Sequence, residues 1–72
     1  MWKRWRNCWQ YWMDGKKVGA VVFSRAWKGG SLIHSYARGH RILPLGLECG
    51  EEGSFPTFYR AKQAVELEIS GS

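Results

Sequence analysis

Trp9-Gln10-Tyr11-Trp12-Met13-Asp14-Gly15-Lys16-Lys17-Val18-Gly19-Ala20-Val21-Val22-Phe23 sets two aromatic or β-branched arms on either side of an Asp-Gly pair. Asp and Gly tolerate the positive φ angles of a two-residue hairpin turn. Trp, Tyr, Val and Phe suit the pleated, half-buried surface of a strand, so the stretch predicts a β-hairpin. Gly19 interrupts the second arm, which marks a bulge or a close approach of another backbone.

Toward the carboxyl end, Ala26-Trp27-Lys28-Gly29-Gly30-Ser31 breaks the strand pattern, and Leu32 to Tyr36 is long enough for a third strand. Arg38-Gly39-His40 reads as a further turn. Arg41 to Leu47 is apolar but contains Pro44, which fits an edge strand because proline has no N–H to give to a ladder. Glu48 to Ser54, with two glycines and three glutamates, has loop composition. Helix chemistry begins after Phe55-Pro56, where Thr57 can cap the first turn and Phe58, Ala61, Val65 and Ile69 fall on one helical face. Glu66-Leu67-Glu68-Ile69 alternates with period two, which leaves the end of that helix open to a short strand.

The amino-terminal side reads two ways. Trp2, Trp5, Trp9 and Trp12 have the spacing of an amphipathic helix, with Lys3, Arg4, Arg6, Asn7 and Gln10 off the stripe. Tryptophan is a better strand former than helix former, however, and the Asp14-Gly15 turn calls for a strand before it. A strand from about Asn7 to Met13 is favoured, and residues 1–8 stay open between flexible chain and helix. The expected fold is α+β. A three- or four-stranded antiparallel meander over residues 9–47 is packed by one C-terminal helix over 57–69, with an additional N-terminal helix as the alternative.

At 72 residues the chain makes one small domain. A domain of this length buries only about 60% of the surface its unfolded chain exposes, so its core must come from a few large side chains. Five Trp, three Tyr and three Phe supply them. Lining a catalytic cavity would take side chains the core needs, which argues for a non-enzymatic binding protein without a cofactor.

The net charge of +5 is unevenly placed. Residues 1–47 hold nine Lys or Arg and one acid, Asp14, for +8, and residues 48–72 hold two Lys or Arg and five Glu, for −3. A strongly basic section suggests an anionic partner, most commonly nucleic acid. Cys8 and Cys49 follow no apolar leader-like segment, so the expectation is a cytoplasmic protein with unpaired thiols. No apolar run approaches the ~18 residues of a membrane span, which excludes a helical integral membrane protein. A helical Trp/Lys/Arg amino terminus would also suit an anionic membrane surface.

Specific chemistry is sparse. Cys8, His34, His40 and Cys49 are zinc-ligand types, but they lack the close pairing that marks a zinc site, so no metal is expected. No nucleophile sits in a Gly-x-Ser-x-Gly turn, and Gly29-Gly30-Ser31 lacks the lysine and spacing of a phosphate loop. Glu48, Glu51 and Glu52 lack the alternating Asp pattern of a calcium loop.

The order of Trp9, Asp14-Gly15, Lys17-Val18-Gly19, Val21, Phe55-Pro56-Thr57, Ala61-Lys62 and Ala64-Val65 resembles that of small bacteriophage sheet-plus-helix modules. In plan it is similar to the amino-terminal arm-binding domain of phage tyrosine integrases, a three-stranded antiparallel sheet backed by one helix. Trp27 to Gly53 is longer than that plan requires, and these 72 residues include no recombinase catalytic domain. The resemblance implies that the sheet face away from the helix enters a DNA major groove. Lys3, Arg4, Arg6, Lys16, Lys17, Arg25 and Lys28, all in or beside the first hairpin, are the matching nucleic-acid-binding candidates. Interleaved tryptophans can stack on unpaired bases or simply form the core.

A second expectation comes from another class, a phage-type effector that binds and inhibits a host protein. Trp2, Trp5, Trp12 and Trp27 are its candidate anchors, since Trp and Arg dominate interface hot spots. A homodimer formed through an unpaired strand edge is compatible with either reading.

Overall fold

A computed structural model describes residues 1–71. Five antiparallel strands, β1 (Trp2–Trp5), β2 (Cys8–Met13), β3 (Lys16–Arg25), β4 (Ser31–Ala37) and β5 (His40–Ile42), form one sheet in chain order. Two single 3₁₀ turns (Gly46–Glu48 and Glu51–Gly53) lead to helix α1 (Phe58–Ser70), which packs on one face of the sheet. The α+β meander with one C-terminal helix is therefore as the sequence indicates, with two corrections. The sheet has five strands, and there is no N-terminal helix.

Residues 2–5 form an edge strand because a second tight turn, Arg6-Asn7, folds them back on β2 with Trp2 opposite Tyr11 and Trp5 opposite Cys8. The ladder runs to the first residue, where the Trp12 amide donates to the Met1 carbonyl at 2.7 Å. An isolated helix of this length is marginal in water, whereas the strand places its tryptophans on two useful surfaces. Trp2 faces α1, its ring 4.8 Å from Tyr11, and its Nε1 donates to Glu66 Oε2 at 2.9 Å. Trp5, three residues on, belongs to the opposite face.

The central hairpin turns on Asp14 (φ 51°) and Gly15 (φ 76°), the two positive φ values of a type I′ turn. A bulge follows, since Tyr11 pairs with Gly19 and Trp12 with Lys17, leaving Val18 as the extra residue. Gly19 is thus not the bulged residue but its neighbour, and it lies beneath the helix where a side chain would meet Val65 and the Tyr36 carbonyl. Past β3, a loop carrying Trp27 returns the chain to β4, and Arg38-Gly39 makes the last tight turn. β5 ends at Ile42 instead of running on to Leu47. Phe55 then takes its place beside β4, its amide donating to the Ile33 carbonyl at 2.7 Å.

The core lies between the sheet and α1. Val21, Phe55, Ala61 and Val65 are buried at its centre, and Trp9, Tyr11, Phe23, Ile33 and Phe58 close around them. Trp9 and Phe23 hold Phe58 between them at ring distances of 5.6 and 5.4 Å. Thr57 caps α1 by accepting the Arg60 amide at 3.1 Å, and the helix continues through Glu66–Ile69 to Ser70 without a strand. Buried Ser35 fastens the sheet to the helix, its hydroxyl donating to the Ala61 carbonyl at 2.8 Å.

Candidate nucleic-acid interface

Strand alternation divides the side chains between two faces. On the face away from α1 the register brings one residue from each strand into a row. Lys3 is opposite Gln10, Gln10 opposite Ala20, Ala20 opposite Tyr36, and Tyr36 opposite Arg41. A second row holds Trp5, Cys8, Val22 and His34. Beyond the bulge, Trp12 and Lys17 pair beside the first row.

Cations and rings are interleaved on this surface. The Lys3 ammonium lies 5.1 Å from the centre of the Trp12 ring, and the Arg6 guanidinium, reaching from its turn, lies 5.4 Å from that of Trp5. The Trp12 indole N–H donates to Gln10 Oε1 at 3.2 Å, which fixes the ring against the sheet. A shallow groove of about 280 Å³ opens at the turn end of β3 and β4, floored by Ala20, Val22 and Tyr36 and flanked by Lys17 and Arg38.

One end of this face is covered. His34 is buried and its Nε2–H donates to the Glu52 carbonyl at 3.1 Å, and the Arg41 guanidinium donates to the same oxygen. The turn carrying Glu51 and Glu52 is thereby tied over the β4–β5 end, leaving β1 to β3 and the Tyr36 region uncovered.

The residues expected to bind nucleic acid are not all together. Lys3 and Lys17 lie on the uncovered face and Arg6 beside it. Arg4, Lys16 and Arg25 have the opposite parity and project at the margins of the helix side, exposed, and Lys28 sits in the β3–β4 loop. Of the four anchor candidates, Trp5 and Trp12 share the uncovered face and Trp27 stands alone at its loop tip, 92% exposed. Trp2 is committed to the helix side, with Tyr11 beneath it and the Lys62 ammonium 5.5 Å from its ring. Tyr36, Gln10 and Arg41 were not singled out by sequence reasoning. Their common row depends on the register of five strands, and no local signal hints at it, since neither Ala20 to Phe23 nor Leu32 to Tyr36 alternates between apolar and polar.

Cys8 and Cys49 are free thiols, and Cys8 Sγ donates to the Trp5 carbonyl at 3.1 Å. Among the described residues no three His, Cys, Asp or Glu side chains gather into a metal-binding group. No helix in this part of the chain is long and apolar enough to cross a membrane. Comparison with protein-family models, with curated proteins and with solved structures finds no match to this chain.

Proposed function

We propose that the protein is a small, non-enzymatic nucleic-acid-binding module that uses the sheet face away from α1. One observation carries the reading. The five strands contain six Lys or Arg (Lys3, Arg4, Lys16, Lys17, Arg25, Arg41) and no Asp or Glu. All six carboxylates lie elsewhere, at the Asp14 turn, in the segment from Glu48 to Glu52, and on α1 at Glu66 and Glu68. Glu48 is further engaged by Arg60, at 3.2 Å. Three of the six, Lys3, Lys17 and Arg41, lie on the face away from α1 among its rings, and that face therefore presents cations and aromatics to an anionic polymer, with the carboxylates confined to turns and to α1.

Phosphates meet Lys3, Arg6, Lys17 and the other cations around the sheet, and bases meet the rings. A salt series of binding anisotropy tests this. With about four phosphates neutralised, log affinity falls against log salt with a slope of about −2.8 on a single strand or −3.6 on a duplex. A flat slope would sink the reading.

A protein partner is the second reading, favoured by Trp27. Its nearly bare indole at a loop tip is an unusual expense of apolar surface for a small domain. Capture from nuclease-treated host lysate that survives high salt and is lost in Trp27→Ala supports it, and capture abolished by nuclease removes it.

A further inference from the structure

We infer that the occupant of the uncovered sheet face is a single strand of nucleic acid, laid across β1 to β4 with its bases on Trp5, Trp12 and Tyr36, and not a duplex groove. This rests on the nucleic-acid reading above and narrows it.

Width is the first argument. Neighbouring strands lie about 4.8 Å apart, so the row from Lys3 to Arg41 spans about 19 Å before side chains are added. The major groove of B-DNA is about 12 Å wide and admits a helix or a two-stranded ribbon. A continuous five-stranded face does not enter it.

Charge asymmetry is the second. A duplex offers two phosphate backbones, one for each margin of whatever sits in its groove. Here the β1 margin carries Lys3 and Arg6, whereas the β5 margin lies under the turn bearing Glu51 and Glu52, held there through His34 and Arg41. The β1 margin is cationic without a carboxylate, whereas the β5 margin mixes Arg41 with Glu51 and Glu52, so the two margins do not match the two equal backbones of a duplex. A single strand has one backbone to place.

The third argument is the chemistry of the surface itself. Duplex edges are read by polar side chains that project into a groove, and unpaired bases are read by flat rings that lie open. This face has Trp5, Trp12 and Tyr36 open to solvent or half-buried, with a small residue, Ala20, beside the tyrosine. Lys3 lies over Trp12 and Arg6 over Trp5, so a base that takes the cation's place on either ring leaves that flexible side chain beside it to meet the phosphate. Gln10, between Lys3 and Ala20, offers an amide to base edges.

The test compares three probes of about 16 nucleotides at one salt concentration: oligothymidylate, oligouridylate and a mixed-sequence DNA duplex. At least tenfold tighter binding of a single strand than of the duplex is expected, with the two single-stranded arms separating DNA from RNA. Trp5→Ala, at an exposed indole, weakens single-strand binding about tenfold, as does Tyr36→Ala, while Tyr36→Phe, which keeps the ring, does not. Thermal melting of each variant shows whether the fold is retained, and Trp5→Ala keeps the test decisive if Tyr36→Ala unfolds. Duplex binding equal to or tighter than single-strand binding overturns this inference and leaves the nucleic-acid reading standing. Absence of binding to all three probes overturns both.

Discussion

A methyl group placed on the α-carbon of Gly19 would stand 2.5 Å from Cγ1 of Val65 and 3.0 Å from the Tyr36 carbonyl oxygen. Glycine at this point of β3 is what lets α1 settle onto the sheet, and Val65 fills the space that a side chain would have taken. The backbone contact leaves little room for relaxation, because moving away from Tyr36 means opening the β3–β4 ladder.

Gly19→Ala therefore destabilises the protein by about 1–3 kcal/mol, the usual cost of overpacking. Each kcal/mol lowers the Tm of a domain this size by roughly 4–8 °C. Urea denaturation measures the loss, and combining the change with Val65→Ala gives a smaller total than the sum of the two single losses, since the second substitution removes one partner of the clash. Simple additivity would show that the two positions do not press on each other.

Trp2 and Trp27 separate a structural tryptophan from a spare one. Trp2→Ala removes the ring on Tyr11, the bond to Glu66 and the contact with Lys62, and costs about 2–4 kcal/mol, somewhat below a fully buried aromatic. Trp27→Ala, at a 92% exposed position, changes stability by no more than about 0.5 kcal/mol. Equal losses for both in thermal melts would contradict these placements.

Arg38 holds φ at 52° in the turn between β4 and β5, with Gly39 at 80° after it. Left-handed backbone is strained for arginine, and asparagine before glycine is the favoured pair in such a turn. Arg38→Asn is expected to raise stability by about 0.5–1 kcal/mol. Among the described residues the side chain gives up a long bond, 3.5 Å, to the Ile69 carbonyl. A lower midpoint in urea would mean that this bond matters more than the backbone strain.

Two hydroxyls fix α1 by different means. Thr57→Ala loses the cap on the Arg60 amide and costs about 1 kcal/mol. Ser35→Ala loses a buried hydrogen bond to the Ala61 carbonyl and costs about 0.5–1.5 kcal/mol. Hydrogen exchange tells them apart. Thr57→Ala speeds exchange in the first turn of α1 alone, and Ser35→Ala speeds it in β4 as well, where Ser35 meets Ala61 on that same turn.

The hairpin around Asp14-Gly15, the strand from Leu32 to Tyr36 and the Thr57-capped helix were all legible in the sequence. Each is set by local chemistry: a turn that needs positive φ, β-branched and aromatic arms, a side chain that can cap an amide. Residues 1–8 were not legible, because the Trp2-Trp5-Trp9-Trp12 spacing satisfies a helix as well as a pair of strands. Tertiary contacts chose the strands, giving Trp2 a place on Tyr11 and Glu66 that an isolated N-terminal helix could not supply. The candidate site followed the same division. Its charge and aromatic content were in the sequence, which determined that the first two-thirds of the chain would be basic and rich in rings. Which cations and rings share a surface was decided by the structure alone. Sheet register and the bulge at Val18 join residues far apart in the chain, placing Lys3, Gln10, Tyr36 and Arg41 in one row and sending Arg4, Lys16 and Arg25 to the other side.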